Sequence, residues 1–182
     1  MKTKFNVNVK VGVKTLEVNK QELITMLNEA LNDEWLTYYQ SWIGAILMEG
    51  PMKNEIKGEL FIHANQELNH ALSIKNRLYQ LGFAVNPNVE GQKKECRCQT
   101  PSDHSIEVIL HKNLNNERIA IQRYQQIADY TFRKDPVTNQ LINKILEEEI
   151  DHVQDIEEWL SIITKTEEEK NTRYKYSVLG SC

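Results

Sequence analysis

Apolar residues recur along most of this chain at steps of three and four positions, which is the spacing of one face of an α-helix. The first such stretch ends at Gly50-Pro51, the second ends at Gly82, and the fourth begins at Asp135-Pro136. The pattern predicts four helices, at about residues 20–49, 52–81, 103–132 and 136–166.

Residues typical of a helix start stand at three of the predicted starts, and at two of these they are candidate caps. A cap satisfies backbone N–H groups that the first turn of a helix leaves without partners. Asn19 precedes the first helix, and Glu22 follows three residues later as in a capping box. Ser102 or Asp103 is the candidate cap of the third helix, and Pro136 suits the first position of the fourth.

The connections between the helices predict their arrangement. Short turns join the first helix to the second and the third to the fourth, so each pair forms an antiparallel hairpin. The middle connection, residues 82–101, is much longer than the usual length of about 2–8 residues. It can run the whole bundle length of about 45 Å, which would make helices two and three parallel. The sequence predicts an all-α four-helix bundle with one long crossover between helices two and three.

The two ends of the chain break the helical period. Residues 3–13 alternate apolar and polar side chains, which is typical of a strand or of an extended arm. A strand there would need a partner, such as a second subunit. The C-terminal end becomes charged and then aperiodic. We therefore expect an extended N-terminal arm at 1–18, the bundle at 19–166 and a tail at 167–182.

Composition favours a helical protein and disfavours several other classes. Glycine (7) and proline (4) are sparse among 182 residues, and 26% of the side chains are charged. The net charge of −4 gives no global basic field for nucleic acid. No run approaches the ~20 apolar residues of a membrane span, and no apolar signal-peptide core is seen. We expect a cytoplasmic protein, and its three cysteines make no disulfide framework.

Acids and histidines occupy positions in the apolar stripes where a leucine is usual. A buried carboxylate is costly unless it is paired or bound to a metal. Four carboxylates around one core would also repel one another strongly. The six residues are Glu34, Glu67, His70, Glu117, Glu149 and His152.

These six residues are ordered as a repeat. Glu-x-x-His occurs at Glu67–His70 and at Glu149–His152, and this spacing puts both side chains of a motif on one helix face. Each motif follows a lone glutamate at a similar distance, since 67 − 34 = 33 and 149 − 117 = 32. In a helical hairpin, that distance brings the three groups to one level. The two hairpins together predict a site with approximate two-fold symmetry.

The charge and the ligand types of this site point to two divalent metal ions. Four carboxylates balance the charge of two divalent cations, and the histidines can bind as neutral ligands. Oxygen and imidazole donors suit iron or manganese, whereas structural zinc more often takes cysteine. By analogy with other two-metal sites, carboxylates would bridge ions about 3.5–4 Å apart.

On these residues the chain resembles the bacterioferritin and Dps-like branch of the ferritin-like di-iron superfamily, over roughly residues 15–166. The resemblance implies a ferritin-like bundle in which Glu67 and Glu149 bridge two iron ions. Glu34 and Glu117 would then be terminal ligands, and each histidine would hold one metal. It also implies ferroxidase activity, the oxidation of ferrous iron by oxygen or peroxide, with ferric mineral stored in a shell of subunits.

Departures from that family narrow the resemblance. Bacterioferritins bind haem through a methionine directly after the bridging glutamate of helix two, and Leu68 stands there, so no haem is expected. Residues 171–182 do not look like the fifth helix of the larger ferritins. The combination is similar to thioferritin-type mini-ferritins, which form dodecameric shells and carry a cysteine pair near the metal site. Cys96 and Cys98 could be its counterpart, and a homo-oligomer, most simply a dodecamer, is implied.

Several further residues keep more than one interpretation. Tyr124 lies two turns after Glu117 on the same face, so it could bond a ligand carboxylate, supply an electron or fill the core. His63 is not expected to be a ligand, because the set of six is already complete. Cys96 and Cys98 could be free thiols, a redox pair or a strained disulfide.

The leading hypothesis is a ferroxidase and iron-storage mini-ferritin that protects against oxidative stress, with Glu67, Glu149 and Tyr124 as catalytic residues. The alternative is a non-storing dinuclear redox enzyme, such as a rubrerythrin-like peroxidase or a manganese catalase. A DNA-coating protein using the lysine-rich N-terminus is a third hypothesis, which the net charge of −4 disfavours.

Overall fold

The computed structural model describes residues 18–83 and 103–179. These ranges contain the helices α1 (Lys20–Leu47), α2 (Lys53–Gln80), α3 (Ile106–Thr131) and α4 (Pro136–Leu179). They contain no β-strand, and the all-α fold class is thereby confirmed. None of these helices is both long enough and apolar enough to cross a lipid bilayer. The predicted arm before Val18 and the pair Cys96 and Cys98 lie outside the described residues.

The first hairpin begins and ends as its sequence predicts. The Asn19 side chain caps α1 by accepting hydrogen bonds from the backbone N–H groups of Gln21 (3.0 Å) and Glu22 (3.3 Å). Gly50, at a φ of 134°, makes the turn into α2 in a conformation that side chains disfavour. Gly82, at a φ of 76°, follows the end of α2 in the left-handed region. The cap and both glycine stops are confirmed.

The start of α3 differs from its prediction. The helix begins at Ile106 with Ser105 at its N-cap, so the predicted cap at Ser102 or Asp103 is wrong. The Asp103 carboxylate instead accepts a hydrogen bond from the Ser105 N–H (2.8 Å), two residues further along the chain. An acidic residue close to a helix start can therefore shape the preceding turn rather than cap the helix.

The fourth helix starts where predicted but is longer. Pro136 is its first residue, and the Asp135 carboxylate accepts a hydrogen bond from the Thr138 N–H (3.1 Å). The helix continues to Leu179, beyond the predicted end near residue 166. No glycine or proline lies between Pro136 and Gly180, so helix-forming residues carry the backbone on after the apolar period ends.

The four helices pack as two hairpins placed side by side. α1 lies against α2 and α3, and α4 lies against α3 and α2. The end of α1 meets the start of α3, because Glu49 N–H donates to the His104 carbonyl (2.8 Å) and Ile106 N–H donates to the Glu49 carbonyl (2.9 Å). Helices α2 and α3 therefore start at the same end and run parallel, as predicted. Phe83 and Asp103 consequently lie at opposite ends of the bundle.

Apolar side chains fill both ends of the bundle core. One cluster includes Leu27, Leu78 and Ile142, and the other includes Leu60 and Leu110. The charged residues singled out by the sequence lie between these two clusters, near the middle of α1, α2 and α3 and in the first half of α4. Close packing on either side limits how far the charged side chains can move or reach water.

Candidate metal centre

One buried charged layer crosses the middle of the bundle. The lone glutamates come from α1 and α3, and the Glu-x-x-His motifs come from α2 and α4. None of these residues is more than 3% exposed. The layer consists of Glu34, Glu67, His70, Glu117, Glu149 and His152. The structure therefore brings all six predicted ligands together.

The layer divides into two groups whose candidate ligand atoms all lie within 4.8 Å of one another. The first group is Glu34, Glu67, His70 and Glu149, and the second is Glu67, Glu117, Glu149 and His152. Glu67 and Glu149 belong to both groups, which is the position that a bridging carboxylate needs. Each of two metal ions would have three carboxylates and one imidazole within reach.

His70 faces the carboxylates with its Nδ1 atom. That atom lies 3.0 Å from a Glu149 oxygen, 3.3 Å from a Glu67 oxygen and 3.4 Å from a Glu34 oxygen. The other ring nitrogen, Nε2, lies 2.7 Å from a carboxylate oxygen of Glu148, whose side chain is about one-third exposed. An imidazole held in this way at one nitrogen presents the other nitrogen to a metal in a fixed orientation.

His152 is placed in the same way on the other side of the layer. Its Nδ1 atom lies 2.9 Å from Glu67 Oε1 and 3.7 Å from Glu149 Oε2. Its Nε2 atom makes a 3.0 Å hydrogen bond with the amide oxygen of Gln66. The His152 ring also stacks on the His63 ring, with centroids 4.2 Å apart.

Several buried polar atoms of this layer have no hydrogen-bond partner. Within the described part of the chain, seven such side-chain atoms exist, and six of them belong to the predicted ligands. They are Glu34 Oε2, Glu67 Oε1, both Glu117 oxygens, Glu149 Oε2 and His152 Nδ1, with His63 Nδ1 beside them. Glu67 Oε1 and His152 Nδ1 lie 2.9 Å apart as an ion pair but do not make a hydrogen bond. Each unsatisfied buried group costs about 1–3 kcal/mol. Oxygen and imidazole donors left without partners fit a cation as their missing partner.

Protons can take the place of cations in this layer. Burial raises the pKa of Glu34 and of Glu117 well above its ordinary value, so both favour the protonated form. Burial alone would lower the pKa of His152, but Glu149 and Glu67 raise it to about 9. The pKa of His70 is raised further by carboxylates, against the same burial effect. Cations that enter the layer would therefore displace protons.

Tyr124 lies in the same layer. Its hydroxyl group donates a hydrogen bond to Glu34 Oε1, and its side chain is buried. Burial raises the pKa of Tyr124 well above its ordinary value, so the hydroxyl keeps its proton and remains a donor. Of the interpretations offered by the sequence, the structure favours a hydroxyl that bonds a candidate ligand.

Sequence reasoning missed part of the surroundings of the centre. Gln66 was not predicted to contact the ligands, yet it bonds His152 across the helix interface, and Glu148 bonds His70 in the same way. The available signal was their position directly before the glutamate of each Glu-x-x-His motif. His63 belongs to neither ligand group, as expected, and its Nε2 lies 3.2 Å from an Asp155 oxygen.

Comparison with known proteins agrees with this geometry. The sequence matches the family model of the ferritin-like domain over residues 24–166. A curated relative, the DNA protection during starvation protein of Pyrococcus furiosus, is 32% identical over 150 residues, which cover 79% of this chain and 80% of that protein.

Solved structures of ferritin-like proteins also superimpose on this chain. A dodecameric thioferritin, the bacterioferritin-related protein from Bacteroides fragilis, superimposes with a TM-score of 0.80 at 36% identity, over 84% of this chain and 92% of that one. A ferritin-like, diiron-carboxylate protein from Bacillus anthracis has a TM-score of 0.66 at 18% identity, over 78% and 96% of the two chains, and shares the fold. This chain belongs to the ferritin-like family, in its bacterioferritin-related and Dps-like branch.

Proposed function

We propose that this protein is a ferroxidase that binds two ferrous ions in each subunit and oxidises them with peroxide or oxygen. The observation that carries the proposal is the buried layer in which two four-residue groups share Glu67 and Glu149. Two ferrous ions together supply the two electrons that convert one hydrogen peroxide molecule and two protons into two water molecules.

The side chains of the layer have distinct roles in this proposal. Glu67 and Glu149 hold both ions and keep them close enough to react with one oxidant molecule. His70 and His152 each bind one ion through Nδ1, while Glu34 and Glu117 complete the two positions. Protons displaced from these groups on metal binding become available at the centre.

Tyr124 acts in this proposal through its hydrogen bond to Glu34. The hydroxyl fixes one carboxylate oxygen and leaves the other for a metal ion. Because the phenol ring is buried within the charged layer, it is also placed to supply an electron when only one iron is bound.

We further propose that subunits assemble into a closed homo-oligomeric shell that stores the ferric product, most simply a dodecamer. The Bacteroides fragilis relative is described as a dodecameric thioferritin. Helix α1 carries an exposed apolar stripe at four- and three-residue steps, which would be costly to leave in water. The stripe consists of Trp35, Tyr39, Trp42 and Ile46, each about 39–46% exposed. Mass photometry of the purified protein tests this assembly directly.

The decisive experiment compares metal binding and ferrous oxidation in the wild-type protein and Glu67→Ala. We expect two ferrous ions per wild-type subunit under anaerobic conditions and rapid oxidation on adding peroxide. Loss of a shared ligand should lower the initial rate at least about 100-fold. Glu157→Ala, which removes a half-exposed glutamate of α4, is the matched control and should behave as the wild type. An unchanged metal content and rate in Glu67→Ala would refute the site.

A non-storing dinuclear redox enzyme is the second candidate, because the same oxygen and imidazole donors also suit manganese. Vigorous oxygen evolution from peroxide by the manganese-loaded protein, without mineral formation, would favour that function. The absence of DNA binding, the absence of a haem group and the cytoplasmic location remain predictions. A gel shift at low salt tests the first, since binding to phosphates weakens steeply with salt.

A further inference from the structure

Three contacts that join α2 to α4 beside the centre have the same form. In each, the Nε2 atom of a buried histidine meets a side-chain oxygen of the opposite helix. Two of these histidines are the predicted ligands His70 and His152. The third is His63 of α2, whose Nε2 lies 3.2 Å from Asp155 Oδ2 of α4. His63 therefore repeats the arrangement of a ligand histidine, one contact further along the two helices.

Packing alone does not account for a histidine at position 63. The residue is 2% exposed, its ring stacks on the His152 ring, and the Trp159 ring lies 5.2 Å away between centroids. Its Nδ1 atom has no hydrogen-bond partner, which costs stability that an apolar side chain would not cost. Because Nδ1 is not bonded, the proton of the neutral ring can move to it from Nε2 without breaking a second hydrogen bond. Nε2 is then able to bind a cation.

Asp155 connects this buried histidine with water. Its side chain is 50% exposed, whereas that of His63 is 3% exposed. Two ligands that bind one metal ion at about 2.1 Å each and meet near a right angle lie about 3 Å apart. The 3.2 Å between His63 Nε2 and Asp155 Oδ2 fits this spacing. A carboxylate at the surface with an imidazole behind it is a donor pair that suits Fe²⁺ or Co²⁺.

Acids on the opposite side of the bundle are engaged in a different way. Arg123 of α3 donates hydrogen bonds to Asp33 and to Glu29 of α1, the latter at 2.6 Å. These carboxylates therefore have a protein cation as their partner, whereas the Asp155 carboxylate faces the imidazole of His63. The α2–α4 side is consequently the better path for a metal ion that approaches the centre.

We propose that His63 and Asp155 form a third, weaker cation position through which divalent metal ions reach the centre between α2 and α4. The inference rests on the proposed ferroxidase function, because the ions that pass this position are the ferrous substrate. Asp155 takes an ion from water, and His63 Nε2 supplies a second ligand. The stacked ring of His152 lies next to it, with centroids 4.2 Å apart. Two protein ligands hold an ion less tightly than four, so the ion moves on to the centre.

Crystals of the wild-type protein soaked anaerobically with Co²⁺ test the position without turnover, because anomalous scattering locates each ion. With excess Co²⁺, two densities should lie in the charged layer, and a third, weaker one should lie between His63 Nε2 and Asp155 Oδ2. With two equivalents of Co²⁺ per subunit, the third density should be absent, because the four-residue groups of the centre bind more tightly.

Stopped-flow mixing of Co²⁺ with the assembled protein measures entry into the centre, because the absorption of Co²⁺ changes when it is bound. Asp155→Asn removes the charge but keeps an oxygen that can accept the His63 hydrogen bond, so the entry rate should fall about tenfold. Two ions per subunit should still bind at the centre at equilibrium. Glu157→Gln removes a carboxylate of similar exposure (52%) that pairs with Arg118, and this matched control should load as the wild type.

His63→Phe tests the imidazole itself. The phenyl ring keeps an aromatic group beside His152 and Trp159 and removes the unpartnered Nδ1, so the variant should fold. It should lose the third density and load the centre about as slowly as Asp155→Asn, with two ions still bound at equilibrium. If this variant does not fold, the entry rate of Asp155→Asn decides alone.

Failure of this inference can be told apart from failure of the proposed function. No third density at excess Co²⁺, or wild-type entry rates in Asp155→Asn, would overturn the third position and leave the dinuclear site standing. Slow entry together with loss of ions from the centre at equilibrium would show that Asp155 only supports the centre structurally, which would also overturn it. A wild-type protein that binds no Co²⁺ in the charged layer would overturn the proposed function instead.

Discussion

Within residues 18–83 and 103–179, charged side chains are buried in two clusters, which differ in how fully their polar atoms are paired. Near one end, Arg77 of α2 donates two hydrogen bonds to Asp135 (2.9 and 2.8 Å), one to Thr138 (2.7 Å) and one to Gln80 (3.0 Å). Asp135 also accepts hydrogen bonds from the Thr138 backbone and hydroxyl group. In the middle of the bundle, by contrast, buried carboxylates share a layer with only two histidines and keep oxygens without partners.

This contrast separates a structural cluster from the candidate metal centre. The Arg77 cluster is closed, because one buried cation meets one buried anion and their hydrogen bonds are made within the protein. The central layer remains short of positive charge until protons or metal ions enter. A protein that keeps such an incomplete cluster accepts lower stability in its metal-free form in exchange for a binding site.

Breaking the closed cluster should give the largest effect on stability. Asp135→Ala leaves Arg77 buried without its anion, which is expected to lower the free energy of unfolding by about 3–5 kcal/mol. Urea denaturation of the metal-free protein measures this loss. Glu157→Ala, which breaks the exposed pair with Arg118 (2.7 Å), should cost less than about 1 kcal/mol. Equal losses in the two variants would contradict the assignment of Arg77 and Asp135 as a buried structural pair.

Removing an unsatisfied buried acid from the open cluster should change stability in the opposite direction. Glu117→Met replaces a buried carboxylate with an apolar side chain of similar size, and the metal-free protein should gain about 1–4 kcal/mol of unfolding free energy. The same variant should lose one of its two metal ions. Urea denaturation and an anaerobic metal titration measure the two effects. A metal-free variant less stable than the wild type would contradict the conclusion that Glu117 is buried at a cost in stability.

Proton binding in the central layer makes the stability of the metal-free protein depend on pH. The folded-state pKa of His152 is raised to about 9 from its ordinary 6.5, so its protonation stabilises the metal-free fold fully below pH 6.5, and this contribution is lost as the pH rises through about 9. The raised pKa values of Glu34 and Glu117 act in the same direction above pH 4.5. Metal-free protein should therefore lose stability between pH 6.5 and 9.

Metal ions should reverse this dependence, because they displace the same protons and bind better as the pH rises. Urea midpoints of the metal-free and Co²⁺-loaded protein at several pH values would measure both trends. Metal-free protein that gains stability between pH 6.5 and 9 would contradict the proposed protonation of the layer.

The smallest expected effect comes from the hydroxyl group of Tyr124. Tyr124→Phe keeps the ring in the core and removes the hydrogen bond to Glu34, so stability should change by about 1 kcal/mol or less. Metal affinity should fall about tenfold, since Glu34 is no longer oriented. Calorimetry of metal binding measures the change. Tyr38→Phe, whose ring packs edge-on against Trp35, is the control and should bind metal normally.

The sequence alone predicted the four helices, their crossover topology and the common level of the buried charged residues. The reason is physical. Helices impose a regular spacing, so a charged residue within an apolar stripe is visible as an exception wherever it stands. The matched separation of Glu34 from Glu67 and of Glu117 from Glu149 then predicted one common level in two hairpins. The crossover topology followed from the lengths of the connections.

Only the tertiary structure decided which side chains meet across helices. His70 is bonded by Glu148 of the other hairpin and His152 by Gln66, and neither pairing follows from spacing along one helix. The spacing gave an approximately symmetric site, while the contacts reveal a negative partner on one side and a neutral partner on the other. Periodicity fixes the face on which a side chain lies, but its partner depends on how neighbouring helices rotate and pack against each other.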